Sequence, residues 1–274
     1  MKARSIHIGL NKVDPKHYGS DAPLAGCHND ARDMRDLARS AGFTAAEPLL
    51  DQNATVAKVN SALLAAAAEL AAGDSLLVTY SGHGSQIPDA NLSDDELDHA
   101  DETWCLYDRM LLDDELAAIW ATFKKGVRIT VLSDSCHSGT ATRAPEFTPP
   151  GALAHPRGRD LPLKLRDHAV ADWSEGYRQI QLDSAARSVV ISAAVILISG
   201  CQDDETSLDG DGNGLFTGAL LEVWQGGRFK GSLRQLQKKI RAKIKGSQHP
   251  NYFATGAVDS TFAAAPALRP VAAR

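Results

Sequence analysis

The chain has 274 residues, 43 % of them hydrophobic and 23 % charged, with a formal net charge of −5 at pH 7. That length can bury a large single core, and the acidic balance gives no electrostatic reason to expect nucleic acid or an anionic membrane as partner. No run reaches the roughly 18 uninterrupted apolar residues of a membrane span, and residues 1–10 lack the long apolar stretch of a signal peptide. Cys27, Cys105, Cys136 and Cys201 are widely spread with no CxxC, which argues against a zinc knuckle or a disulfide framework. A reducing cytoplasm fits this usage and keeps a thiol available for chemistry.

In chain order, Arg4 to Leu10 reads as a first strand, followed by a polar loop to Gly26. Asn29 or Asp30 opens a helix running to about Ala41, with Met34, Leu37 and Ala38 on its inner face and Gly42 as its stop. An Ala-rich helix over Val56–Ala72 is closed by Gly73, and Asp74–Tyr80 is a buried strand. Gln86 to Asp101 is polar and acidic, a solvated loop or a hard-cation site. Thr103–Tyr107 is a short strand, and a helix capped by Asp113 or Asp114 reaches about Lys124.

Val127–Ser133 is a second β-branched, buried run. Thr140 to about Leu182 is rich in Pro, Gly and Arg with weak periodicity, a long loop that is functional or poorly ordered. Ser188–Ser199 is the most apolar stretch and a further buried strand. Asp209–Gly214 resembles the start of an EF-hand loop, but Leu220 stands at the twelfth position, so that reading is rejected. Helices over Leu215–Gln225 and Leu233–Lys245, an edge strand over Pro250–Ala254 and a disordered tail over residues 263–274 complete the chain. Strands alternating with helices predict an α/β domain over residues 1–262, a mostly parallel sheet with helices on both faces.

Two of these strands end in chemistry. One leads to His83, held between Gly82 and Gly84; the other leads to Asp134, Ser135 and Cys136. The carboxyl edge of an open α/β sheet is where ligands bind. A cysteine acts as a nucleophile through its thiolate, and a histidine supplies the proton transfer. Backbone N–H groups near Gly84 and Cys136 are candidates for holding an oxyanion. Asp30, at a loop–helix junction, reads as a helix cap or as part of the same edge.

The segments Tyr80-Ser81-Gly82-His83-Gly84-Ser85-Gln86, Asp134-Ser135-Cys136-His137-Ser138-Gly139, Ile198-Ser199-Gly200-Cys201-Gln202-Asp203-Asp204 and Asn213-Gly214-Leu215-Phe216-Thr217 resemble the metacaspase/orthocaspase branch of the caspase-like cysteine peptidases. The resemblance runs from about Arg4 to Ala254. It implies a caspase–haemoglobinase fold, a His83/Cys136 dyad and endopeptidase cleavage after Arg or Lys. It also implies an acidic primary pocket in which Asp30 and Asp134 bind the substrate's basic side chain, with Ser81 at the rim. Two carboxylates around one hole attract a guanidinium, with bidentate geometry favouring Arg over Lys.

For the family's calcium site, Asp101, Asp113 and Asp114 match three of the expected aspartates, and Arg143 stands at the fourth. No cofactor is therefore required on this reading, and Ca²⁺ stays open. The resemblance implies protein or peptide substrates and a monomer. Basic residues in the 140–187 loop (Arg143, Arg157, Arg159, Lys164 and Arg166) suggest self-cleavage there. The rival reading is a catalytically silent caspase-fold interaction module.

Overall fold

The computed structural model describes residues 1–88, 100–135, 158–185, 189–201, 208–209, 212–245 and 248–270. Along them run β1 (Ala3–Gly9), α1 (Pro15–Tyr18), α2 (Cys27–Ser40), β2 (Thr44–Ala45), β3 (Leu49–Leu50), α3 (Val56–Glu69), β4 (Ser75–Ser81), β5 (Gly84–Pro88), β6 (Ala100–Cys105), β7 (Met110–Leu112) and α4 (Asp113–Ala121). They continue as β8 (Arg128–Asp134), α5 (Leu163–Asp172), α6 (Ser174–Ala185), β9 (Ala194–Ser199), α7 (Leu215–Trp224), α8 (Leu233–Lys243), β10 (Asn251–Gly256) and α9 (Ser260–Ala264).

The main sheet has the order β10-β9-β8-β4-β1-β2, with β3 also on β1. β1, β4, β8 and β9 are mutually parallel, and β10 closes the edge antiparallel to β9. After β1 the chain first builds outward to β2 and β3, then returns to lay β4 on the other side of β1. The strand order therefore reverses between β1 and β4, the kind of point at which open α/β sheets open a crevice at their carboxyl ends.

Alternation along each strand divides the core between the two faces. Leu76, Val78, Tyr80, Ile129 and Val131 pack with Val59 and Leu63 of α3 and with Leu116, Ile119 and Trp120 of α4. Leu77, Leu132, Ile196 and Ile198 pack on the opposite face with Met34 and Leu37 of α2, Phe216 and Leu220 of α7 and Leu236 and Ile240 of α8. Ser81 and Asp134 share parity with Leu77 and Leu132. They are also paired in register across β4 and β8, and Gly9 pairs with Ser81 across β1 and β4. Both polar tips thus lie on the α2 side of the sheet.

Several expectations are revised. The α2 helix begins at Cys27, with Gly26 as its N-cap, so Asp30 lies within the first turn and does not open the helix. Residues 84–88, 100–105 and 110–112 form a separate antiparallel sheet, β5-β6-β7. The stretch read as a long loop over 140–187 carries α5 and α6, two helices whose Leu163, Trp173 and Leu182 stay partly exposed and so leave little periodic pattern. Ser188–Ser199 is strand only from Ala194 onward, and Val190 is 71 % exposed. The tail is packed through residue 270: Ala265, Ala267 and Leu268 are buried, and Ala267 N–H donates to the Gly231 carbonyl. No described helix is long and apolar enough to cross a membrane.

Candidate active site

The sequence-predicted pocket residues converge. Asp30 sits one and two turns from Met34 and Leu37 on the buried face of α2, so the face that anchors the helix also delivers its carboxylate to the sheet edge. Ser81 and Asp134 come from the adjacent tips of β4 and β8 and are buried, Ser81 lying within the cavity rather than at its rim. Ser81 Oγ donates to Asp30 Oδ2 at 2.7 Å. The start of α7 faces both acids: Gly214 N–H donates to Asp30 Oδ1 at 3.0 Å, and Thr217 donates to Asp134 Oδ2 from its N–H at 2.9 Å and its hydroxyl at 2.7 Å. A helix N-terminus favours negative charge at that spot.

A guanidinium fills the space between these carboxylates, and it comes from the chain itself. Arg159 is fully buried. Its Nη1 donates to Ser81 Oγ at 2.8 Å and to the Asp134 carbonyl at 2.9 Å, and pairs with Asp134 Oδ1 at 3.1 Å. Its Nη2 donates to Asp30 Oδ2 at 2.7 Å and to Asp209 Oδ1 at 3.0 Å. Against the cost of burial, Asp134, Cys27 and Asp30 raise the Arg159 pKa further above its ordinary value. Burial pushes the Asp30 carboxyl up, while Arg159 opposes that shift.

The backbone around Arg159 is equally engaged. Gly84 N–H donates to the Arg159 carbonyl at 2.9 Å, and Leu161 N–H returns a bond to the Gly84 carbonyl at 2.9 Å. Gly158 forms an antiparallel bridge to Leu208. Residues 158–161 therefore lie extended across the carboxyl edge, with one basic side chain down the hole and its carbonyl on the amide next to His83.

His83 is buried just beyond β4. Its Nε2 lies 2.9 Å from the Ala22 carbonyl, which can only accept, so Nε2 carries the proton. Ala22 has φ +41°, a left-handed backbone that turns this carbonyl toward the ring. Nδ1 is buried without a hydrogen-bond partner among the described residues and holds the lone pair of the neutral ring. Burial is the main reason its pKa falls below the ordinary histidine value. The Tyr80 hydroxyl holds the His83 carbonyl at 2.6 Å, and the Tyr80 ring stacks on Trp104 at 4.6 Å. Gly82 leaves room for that hydroxyl, since a Cβ there would lie 2.7 Å from it. Cys136, the expected nucleophile, lies outside the described residues, as do His137 and Arg143.

The family model for the caspase domain matches residues 8–261. The chain belongs to the caspase-domain family. It is similar to Metacaspase-1 of Cryptococcus neoformans, at 30 % identity over 94 % of this chain and 64 % of that protein. It is also similar to Metacaspase-1B of Aspergillus oryzae, at 28 % identity over 94 % of this chain and 69 % of the other. The chain thus spans about two thirds of the length of these relatives. A crystal structure of a Geobacter sulfurreducens protein superposes with a TM-score of 0.87 at 40 % identity, covering 99 % of this chain and 100 % of the other. This is a metacaspase-like member of the family.

Within this caspase domain the aspartates matched to a calcium site hold partners of their own. Among the described residues no cluster of three or more His, Cys, Asp or Glu is arranged to hold an ion. Asp101 is buried and accepts a hydrogen bond from the Gln181 amide, while Asp113 accepts from the Asp114 backbone N–H at 3.0 Å in the first turn of α4. Cys27, Cys105 and Cys201 are free and buried, with Cys201 Sγ 3.3 Å from the Ser135 carbonyl.

Sequence reasoning missed two residues of the pocket. Arg159 appeared only as one of several basic residues in a loop. Asp209 appeared only as the first position of a rejected EF-hand-like run; among the described residues its carboxylate is fixed by Ala25 N–H at 2.6 Å and Gly26 N–H at 3.0 Å.

Proposed function

We propose that this chain is a cysteine endopeptidase that cuts after arginine or lysine, with Cys136 as nucleophile, His83 as its base and Asp30, Ser81 and Asp134 binding the basic side chain. The observation that carries the reading is Arg159. A guanidinium sits among carboxylates while the carbonyl of the same residue bonds to Gly84 N–H, which is the pose a cleavable peptide needs.

In this mechanism His83 Nδ1 takes the Cys136 thiol proton, and the thiolate adds to the carbonyl carbon of the basic residue. The negative oxygen of the tetrahedral intermediate is held by Gly84 N–H and the Cys136 N–H. The C–N bond then breaks, and His83⁺ returns its proton to the departing amine, leaving a thioester on Cys136. Water, deprotonated by His83, adds to the thioester carbonyl and releases the acid and the thiol. The Ala22 carbonyl keeps the imidazole in the Nε2–H tautomer and steadies it when charged. The same reading includes self-cleavage within residues 140–187.

A panel of fluorogenic peptides with Arg, Lys, Asp or Asn at the cleaved position tests this, with Cys136→Ala as control. Turnover after Arg or Lys that Cys136→Ala abolishes is expected. Turnover after Asp alone overturns the pocket assignment. Silence toward all four, with Ca²⁺ or without, favours an interaction module that has lost catalysis.

A further inference from the structure

The pocket holds a third carboxylate that the dyad-and-two-acids description leaves unused. Asp209 Oδ1 meets Arg159 Nη2 at 3.0 Å, on the other terminal nitrogen from the one that bonds Ser81, and Asp209 is itself buried. Its position does not depend on the guanidinium, because the amides of Ala25 and Gly26 grip both of its oxygens at the entry to α2.

The two terminal nitrogens of Arg159 have separate duties. Nη1 serves Ser81 Oγ and both the carbonyl and carboxylate of Asp134. Nη2 bridges Asp30 and Asp209. Nε is buried without a hydrogen-bond partner among the described residues, so recognition falls on the outer edge of the fork. The floor is cut to that width: a Cβ on Gly214 would lie 2.4 Å from Nη2 and 2.5 Å from Cζ. A planar fork can satisfy both sides of such a cage at once. A primary ammonium is a single point on a thinner stem and reaches one side while leaving the other desolvated and unpaired.

From this geometry we infer that Asp209 is a specificity-determining residue, the third acid of the primary pocket, and that it makes the pocket select arginine over lysine. The inference rests on the basic-residue reading above and deepens it from a charge preference to a shape preference.

The test compares kcat/KM for matched Arg and Lys peptides in the full chain and in Asp209→Asn. The unaltered chain is expected to favour Arg, and Asp209→Asn to shrink the Arg/Lys ratio by about tenfold or more, the scale of one charge-assisted hydrogen bond. An unchanged ratio, or equal collapse of both activities, overturns the role of Asp209 while leaving basic specificity intact. A chain that cuts neither Arg nor Lys overturns the basic-site reading and this inference together.

A second measurement needs no turnover. In the Cys136→Ala background Arg159→Lys is expected to lower the melting temperature, and to lower it less when Asp209→Asn is also present. If Asp209→Asn does not fold, Arg159→Lys alone decides, and an unchanged melting temperature counts against the inference.

Discussion

The Gly84 N–H points at the Arg159 carbonyl oxygen from 2.9 Å, and Gly84 directly follows His83. This contact defines which bond the active chain should cut first. Incubation of the purified protein is expected to yield fragments whose new N-terminus is Asp160, identified by mass spectrometry. Cys136→Ala should stay whole, and Arg159→Ala should lose this cut. A first cut at Arg143, Arg157, Lys164 or Arg166 would contradict the geometry.

His83 should titrate below the ordinary histidine value of 6.5, chiefly because it is buried. A base with a depressed pKa stays neutral and competent as the solution is acidified. The acid limb of kcat/KM for an Arg peptide is therefore expected to have its midpoint below pH 6.5. His83→Asn should lower kcat by at least the 10²–10⁴-fold, roughly, that a general acid–base contributes. Stopped assays across pH 4–8 provide the check.

Ser81 links both partners of the pocket, donating to Asp30 Oδ2 and accepting from Arg159 Nη1. Ser81→Ala removes a donor from a buried carboxylate. The expected loss in kcat/KM for Arg peptides is about tenfold, consistent with one such bond, with KM carrying most of it. A change confined to kcat would argue that Ser81 serves the reacting atoms instead.

Gly82 carries a different load. A Cβ there would press on the Tyr80 hydroxyl that holds the His83 carbonyl. Gly82→Ala is expected to destabilise the fold by about 1–3 kcal/mol, the usual cost of overpacking, and to depress turnover by displacing His83. Denaturant titration beside the peptide assay reads both effects.

Away from the site, His7 supplies a stability switch. Its ring is bonded to Thr79 Oγ1 and Ser5 Oγ at 2.9 Å each; burial, reinforced by Arg35 and Arg39, lowers its pKa to about 3. A histidine depressed in the folded state contributes stability that is present above the unfolded value of 6.5 and lost as pH falls toward 3. The loss should be on the order of 4 kcal/mol across that window, and His7→Gln should flatten the slope.

Much of this site was readable in the residues. The motif resemblance names Asp30, Ser81 and Asp134 together, and the shared parity of Leu77 with Ser81 and of Leu132 with Asp134, with the Asp30–Met34–Leu37 spacing, agrees with their meeting at one edge. What escaped reading has a common cause. Asp209 belongs to no repeating element, and its anchors Ala25 and Gly26 lie more than 180 residues away in sequence. The α5 and α6 helices escaped because Ala169 and Tyr177 are buried while Leu163 and Leu182 stay partly exposed, which leaves no clear periodic stripe. Arg159 stands out in the sequence only as one of several basic residues in its loop, since its role follows from where residues 158–161 cross the sheet edge.

On the proposed reading the seated arginine makes the uncut chain its own competitive ligand. A tethered group acts at an effective concentration on the order of millimolar. On that reading a peptide offered at micromolar concentration competes with this tethered arginine, and the first turnovers are expected to follow how fast that tether is severed or withdrawn. Progress curves are then expected to start with a lag that does not depend on how much enzyme is added when the release is intramolecular.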